Sequence, residues 1–378
     1  MTKKIGILTA GGDSPGLNAA IRSIGKSLLG ATDYDIVGFL DGFRGLINNN
    51  FMQLDRSILS NIVSLGGTML GTSRDKPHKI LVNNKKVDMR DTIVQNYNKH
   101  NLEALICIGG GGTQKNALKL VEKDLNIITL PKTIDNDIYF TDTSIGFDTA
   151  LEIATSAIDR LHTTAHSHHR IIFVETMGHK AGWLALGAGI AGGAEVILIP
   201  EIPYIIENIA DSILYRYKKG KSFSIVAIAE GAMSVENQNQ INSLQKLKDN
   251  TQDKEEINNI NKDIKRFRTS LSDNTMKLAS QLEEITKLES RVTILGHLQR
   301  GGAPSATDRM LATRLGVAAT NQLIKKNYNN MISVQANILQ PIPLKNIAGK
   351  TKHVPLSHQW IETARKLGIC LGDKKLNF

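Results

Sequence analysis

Residues 126–137 read Asn126-Ile127-Ile128-Thr129-Leu130-Pro131-Lys132-Thr133-Ile134-Asp135-Asn136-Asp137. The first part is short, apolar and β-branched, which predicts a buried strand. The second part sets two carboxylates, a hydroxyl and an ammonium at the carboxyl end of that strand. In open α/β sheets this edge is where ligands bind. If the segment stays extended, Asp135 and Asp137 share a face. One carboxylate can then accept a proton from an alcohol while another holds a divalent cation, which suits phosphoryl transfer. An Asx turn closing a loop uses the same residue types.

The same pattern recurs outward along the chain. Apolar runs at 5–10, 35–40, 104–108, 170–174, 196–199, 223–229 and 291–295 are each followed by glycine or a polar cluster. Helical spacing follows at 17–29, 113–123, 147–162, 183–190 and 308–325. Alternation of this kind predicts an α/β chain with parallel sheet and helices on both faces. Ser14 and Pro15 precede the first helix, as helix starts often require. Residues 235–275 are rich in Asn, Gln, Lys, Asp and Glu and read as an exposed, partly helical insertion. From Leu278 the spacing returns, with Leu278, Leu282, Ile285 and Leu288 on one helical stripe.

Bulk properties narrow the class. A length of 378 residues accommodates two or three domains. Cys107 and Cys370 form no metal-spaced pair, which fits a reducing compartment. Met1-Thr2-Lys3-Lys4 runs straight into a strand pattern, without the apolar region of a signal peptide. The most apolar stretch, 181–194, is too short for a bilayer. A cytoplasmic protein is expected. The net charge is +10, but Lys and Arg are dispersed and aromatics make up only 5%, so a base-stacking surface is not expected. The arginines suit a phosphorylated small molecule instead.

Three segments suit phosphate. Thr9-Ala10-Gly11-Gly12-Asp13-Ser14-Pro15-Gly16 joins a strand to a helix, matching neither a P-loop nor GxGxxG. Gly109-Gly110-Gly111-Gly112-Thr113 does the same. Four successive glycines are entropically unfavourable, so close approach of an anion to bare backbone is the favoured explanation. Gly66-Gly67-Thr68-Met69-Leu70-Gly71-Thr72-Ser73-Arg74 is similar and ends in arginine. Later strand ends carry His169-Arg170, Met177-Gly178-His179-Lys180, and Arg291 with His297-Leu298-Gln299-Arg300. Arg170, Arg291 and Arg300 are candidates for bidentate phosphate binding, with surface ion pairing as the alternative. Glu230 follows the run 223–229 and can accept a hydroxyl. His162, His166, His168 and His169 lack a completing ligand for a metal, so a polar interface or phosphate-facing loop is expected there.

Taken in order, GGDSPGLNAAIR (11–22), GGTMLGTSR (66–74), IGGGGT (108–113), PKTIDND (131–137), SHHR (167–170), ETMGHKAG (175–182), AEG (229–231) and GHLQRGG (296–302) resemble the 6-phosphofructokinases over nearly the whole chain. The segment from Trp360 through Asp373 resembles the bacterial mixed-substrate, or group III, members. The resemblance implies two similar doubly wound, Rossmann-like domains with the active site between them. It assigns 1–146 plus 299–345 to a donor domain, 147–298 to a sugar-phosphate domain and 346–378 to a tail. It implies phosphoryl transfer from ATP to the C1 hydroxyl of fructose 6-phosphate with Mg²⁺. Asp135 would be the base, with Thr133 and Lys132 beside it. Thr133, Ile134, Asp135, Arg170, Met177, Gly178, His179, Glu230, Arg291, His297, Leu298, Gln299 and Arg300 would bind the sugar phosphate. Arg170 would reach a neighbouring subunit's site in a homodimer or homotetramer. Gly12, Arg74, Asp75, Gly109, Gly110, Gly111, Gly112 and Thr113 would bind the donor.

The chain departs from the family pattern at three places. Gly111 stands where many members have an acidic Mg²⁺ ligand, which shifts that duty to Asp135, Asp137 or Asp13, or leaves the metal held mainly by donor phosphates and water. Lys132 is usual in pyrophosphate users. The 235–275 insertion has no assigned role. Gly112 lacks the aspartate that pyrophosphate users place against an α-phosphate, and exclusion by like charge outweighs attraction. ATP is therefore the expected donor. The alternatives are a pyrophosphate-dependent phosphotransferase and a non-catalytic sugar-phosphate or nucleotide sensor.

Overall fold

The computed structural model describes residues 3–31, 33–271 and 273–375. Met1, Thr2 and 376–378, assigned from sequence to the donor domain and the tail, lie outside the described residues, as does Ser272 of the insertion. The strands are β1 (Lys4–Ala10), β2 (Asp35–Phe39), β3 (Phe51–Gln53), β4 (Ile80–Val82), β5 (Lys85–Val87), β6 (Leu102–Gly109), β7 (Ile127–Pro131), β8 (Ile171–Thr176), β9 (Val196–Leu198), β10 (Ser224–Ala229), β11 (Ser290–Ile294), β12 (Asn330–Gln335) and β13 (Ile338–Pro343). They fall into two units, Met1–Ala150 with Arg300–Lys352, and Leu151–Gln299 with His353–Phe378.

Unit one carries a seven-stranded sheet in the order β13-β12-β7-β6-β1-β2-β3. Its centre is parallel, and both edges differ from the all-parallel expectation by ending in an antiparallel strand. Ala336 and Asn337, both left-handed, turn β12 into β13. Side chains alternate across β1, so Ile5 and Ile7 pack on one face with Ile21, Ile24 and Leu315. Leu8 packs on the other with Phe39, Leu105 and Leu120. Each such side chain, fully buried, contributes about 1.5–3 kcal/mol. Helices Leu17–Ala31 and Ala306–Ile324 cover the first face. The strand order reverses at β1 and β6, which opens a crevice at their carboxyl ends.

Unit two carries a parallel sheet in the order β11-β8-β10-β9. Ile171, Phe173, Val226 and Ile228 pack against Ile209 and Ile213 of helix Ile206–Lys218 and Leu278 and Leu282 of helix Asn274–Thr286. That helix stops at a left-handed Lys287, so Leu288 lies beyond it, and Ile285 is exposed rather than on the expected stripe. The insertion is an antiparallel pair of helices, Val235–Asn250 and Lys254–Ser270, capped by Ser234 and Asp253. The C-terminal segment adds Cys370 beside Val196 and sets Trp360 against Trp183. Among the described residues no helix is long and apolar enough to cross a membrane.

Candidate functional site

In unit one the chain leaves the sheet after Lys132, whose N–H reaches the Gly109 carbonyl at 3.2 Å. The backbone then turns through Ile134 and Asp135, and Asn136 is left-handed, so the segment is not extended and Asp135 and Asp137 do not share a strand face. Burial still alternates. Lys132, Ile134 and Asn136 are buried, while Thr133, Asp135 and Asp137 keep access to solvent. Thr133 Oγ1 accepts the Asp135 N–H at 3.1 Å. Ser144 and Asn136 hold the rest of the turn, donating to Thr133 O at 2.7 Å and Asp142 O at 3.0 Å.

The Lys132 ammonium is buried and donates to the carbonyl of Gly12. Its pKa is drawn down to about 8, chiefly by burial and then by the Arg300 guanidinium, with Asp13 and Asp135 opposing and Arg74 assisting. Arg300 itself donates to Asp13 O at 3.0 Å. The fold thus brings Lys132, Arg300 and Arg74 into electrostatic reach of Asp13 and Asp135. Asp137 lies instead beside Lys352, whose N–H donates to Asp137 O at 2.8 Å.

Gly110 precedes helix Gly111–Val121, and the first turn carries no acidic side chain. A Cβ at Gly109 would meet Thr113 Oγ1 at 2.2 Å, so that glycine is required by packing. A Cβ at Gly111 or Gly112 would meet nothing within 4 Å, so these two leave open space at the helix N-terminus. Thr113 Oγ1 donates to Ala10 O at 3.2 Å and ties this loop to the Gly11-Gly12 loop. Arg74 is exposed. The Asp75 carboxylate is engaged by Arg44 at 2.6 and 3.2 Å.

In unit two, Glu230 accepts the His179 N–H at 2.8 Å and braces a turn in which Gly178 and His179 both have positive φ. A side chain at Gly178 would strike Ala181 O at 2.5 Å. Glu175, His179, Lys180, Glu201, Glu230 and Arg268 help line a cavity of about 510 Å³. The Glu175 carboxyl, pushed up by burial, accepts the Thr275 hydroxyl. Met177 is half-buried at its edge of the turn. Arg170 and Arg291 both pair with Glu289, Arg170 through Nε at 2.6 Å and Nη2 at 3.1 Å. In the turn Gly296–Arg300, Leu298 is exposed and Gln299 is buried, donating to Gly296 O at 3.3 Å. His162 bonds Gly192 O and His166 meets Phe223 edge-on. Among the described residues no cluster of His, Cys, Asp or Glu forms a metal site. The sequence reading missed Arg268 and Gln238 at the cavity, because nothing local separates them from the other polar residues of the insertion.

Parallel α/β units with glycine-lined strand ends above a buried ammonium define the class. A family model described as Phosphofructokinase matches residues 4–323, and the chain belongs to this family. It is 51% identical over 378 residues to an ATP-dependent 6-phosphofructokinase of Propionibacterium freudenreichii subsp. shermanii, covering 99% of this chain and 100% of the relative. It is 46% identical to an ATP-dependent 6-phosphofructokinase of Spirochaeta thermophila, covering 98% of each. Among solved structures, phosphofructokinase from Saccharomyces cerevisiae superposes with a TM-score of 0.73 at 28% identity, over 91% of this chain but only 45% of the yeast chain. A pyrophosphate-dependent phosphofructokinase from Marinobacter aquaeolei, at 20% identity and TM-score 0.75 over 97% of this chain and 92% of that one, shares the fold.

Proposed function

We propose that the chain is an ATP-dependent 6-phosphofructokinase, transferring the γ-phosphoryl group of ATP to the C1 hydroxyl of fructose 6-phosphate in glycolysis. The observation that carries this is the 51% identity, end to end, with a relative bearing that activity in its name. The open space at Gly112 supports ATP, since no side chain there opposes an α-phosphate. The test is one assay with fructose 6-phosphate, comparing ATP with pyrophosphate. Turnover with pyrophosphate alone would overturn the donor assignment.

In this reading unit one is the donor domain and unit two the sugar-phosphate domain. Asp135 accepts the proton of the C1 hydroxyl as its oxygen attacks phosphorus. Thr133 orients that carboxylate's turn. The amides of Gly111, Gly112 and Thr113, at a helix N-terminus, face the phosphates of the donor. Arg74 offsets charge on the transferred group, whose transition state spreads charge over its equatorial oxygens, and Arg300 binds the sugar phosphate. Glu230 and His179 hold sugar hydroxyls. Arg170 exchanges Glu289 for the phosphate of a neighbouring subunit's substrate in a homo-oligomer. The protein acts in the cytoplasm.

The family implies Mg²⁺, and the donor chemistry fits it. Two carboxylates, Asp13 and Asp135, face the same ammonium, and Mg²⁺ is typically held by one or two carboxylates with phosphates and water rather than by an all-protein cage. When bound there it neutralises phosphate charge. Asp137, being beside Lys352, serves less well than Asp13.

Lys132 favours pyrophosphate as a second reading. Its ammonium is directed at Gly12 O, which lessens its availability as a charge partner for a leaving pyrophosphate.

A further inference from the structure

The turn that carries Asp135 runs on into an irregular stretch of unit one, 136–142, which lies between β7 and helix Phe147–His168. The backbone groups of such a stretch need partners from elsewhere in the fold. Its course is imposed rather than preferred. Asn136 and Phe140 have left-handed φ of 51° and 64°, and for a residue as bulky as phenylalanine that conformation is strained. One side of the stretch is held by β12 and the turn after it. Ser333 Oγ and Gln335 Nε2 donate to Phe140 O, the Asp142 N–H bonds Val334 O at 2.8 Å, and the Ala336 N–H reaches the Asp142 carboxylate at 2.7 Å.

The other side is held by the segment that ends unit one. Thr351 pairs with Ile138 in an antiparallel bridge, and the Lys352 N–H bonds Asp137 O at 2.8 Å. The Lys352 side chain adds two more bonds, from Nζ to Thr141 O at 2.7 Å and to Asp142 O at 2.9 Å. An ammonium makes stronger hydrogen bonds to a carbonyl than a neutral donor does. The Asp142 carbonyl also accepts Asn136 Nδ2 at 3.0 Å. One oxygen thus joins the Lys352 ammonium to the buried residue that follows Asp135. Lys352 lies beyond residues 4–323, which the family model matches, and belongs to none of the motifs that carry the family's chemistry.

We propose that Lys352 is a positioning residue for phosphoryl transfer: through the shared Asp142 carbonyl and Asn136, its ammonium fixes the turn from which Asp135 takes the proton. The proposal rests on the reading of Asp135 as the base. Lys352 acts on the geometry of the base alone, so it governs turnover and not the binding of either substrate.

Lys352→Met removes the ammonium, and the main-chain bond to Asp137 survives it. In the full-length enzyme at pH 7 this variant is expected to lower kcat roughly 10- to 100-fold, with the KM values for ATP and fructose 6-phosphate unchanged. Lys352→Arg, which restores a cation, is expected to recover most of the loss. Asn136→Gly tolerates the left-handed backbone, removes the amide and is expected to lower kcat by a similar factor. Both changes act through one carbonyl, so the double variant is expected to be no slower than the slower single variant, whereas independent structural roles would multiply. An unchanged kcat in folded Lys352→Met, a loss confined to KM, or multiplied losses in the double variant overturns the proposal. Should Lys352→Met fail to fold, Lys352→Gln, which keeps a neutral donor, carries the same comparison. If the wild type turns over fructose 6-phosphate with neither ATP nor pyrophosphate, the functional reading fails. Amide hydrogen exchange across 133–142 then still decides the clamp: it is expected to quicken in Lys352→Met, and an unchanged rate overturns it.

Discussion

The ammonium of Lys132 donates to the main-chain carbonyl of Gly12. This bond joins the end of β7 to the end of β1 across the end of β6, which lies between them in the sheet. It seats a cation beneath the glycine loops and beside the carboxylates of Asp13 and Asp135. Residues more than a hundred positions apart become one charge cluster through strand order alone.

Asp135→Asn keeps the size of the side chain and removes the base. Turnover is expected to fall roughly 10²- to 10⁴-fold, with the KM values largely kept. Steady-state kinetics together with an unaltered circular dichroism spectrum would check this. Wild-type turnover would remove Asp135 from the mechanism.

Gly112→Asp places a carboxylate in open space, so the fold tolerates it. ATP use is expected to collapse through like-charge repulsion, which costs several kcal/mol in a desolvated contact. The comparison is kcat/KM for ATP before and after. An unchanged value would refute the donor argument.

Glu230 has two duties that substitution separates. Gln can still accept the His179 N–H, whereas Ala cannot. Glu230→Ala is expected to raise the KM for fructose 6-phosphate by roughly 10-fold or more, and Glu230→Gln by less. Equal effects from both variants would mean that the bracing of the His179 turn is irrelevant.

Lys352 gives stability a pH dependence. It is buried beside Asp142 and Asp137, and burial lowers its pKa from 10.5 to about 8. Its Nζ donates to Thr141 O at 2.7 Å and Asp142 O at 2.9 Å. Between the folded value of about 8 and the unfolded value of 10.5, the unfolded chain binds the extra proton, so stability rises with pH across that window. The rise from this group is on the order of 3 kcal/mol. Urea midpoints measured through the window should climb less for Lys352→Met than for the wild type. An equal climb in both would show that Lys352 does not titrate there.

The central strands were legible in sequence because each is a short apolar run closed by glycine or polar residues. β6 and β10, buried on both faces, carry hardly any polar side chain. β12 and β13 were not, since their connecting Ala336-Asn337 lacks the Asn-Gly or Asp-Gly signature of a tight hairpin. The glycine loops, Asp135 and Glu230 were found because their chemistry is unusual at strand ends. Arg268 was not, because an arginine on a polar helix looks alike whether it faces a cavity or water.

The sequence by itself determined the α/β alternation, the family and the residue types available for phosphoryl transfer, since these follow from local periodicity and motif order. Only the tertiary structure decided which carboxylates share a cluster. Asp135 lies near Lys132 and Asp13, while Asp137 goes to Lys352, because the chain has already left the sheet and a left-handed Asn136 turns the backbone between them. It also separated the two kinds of glycine. Gly109 is needed for packing, whereas Gly111 and Gly112 leave space, a distinction that depends on Thr113 of the following helix and Ala10 of β1 closing on Gly109 alone.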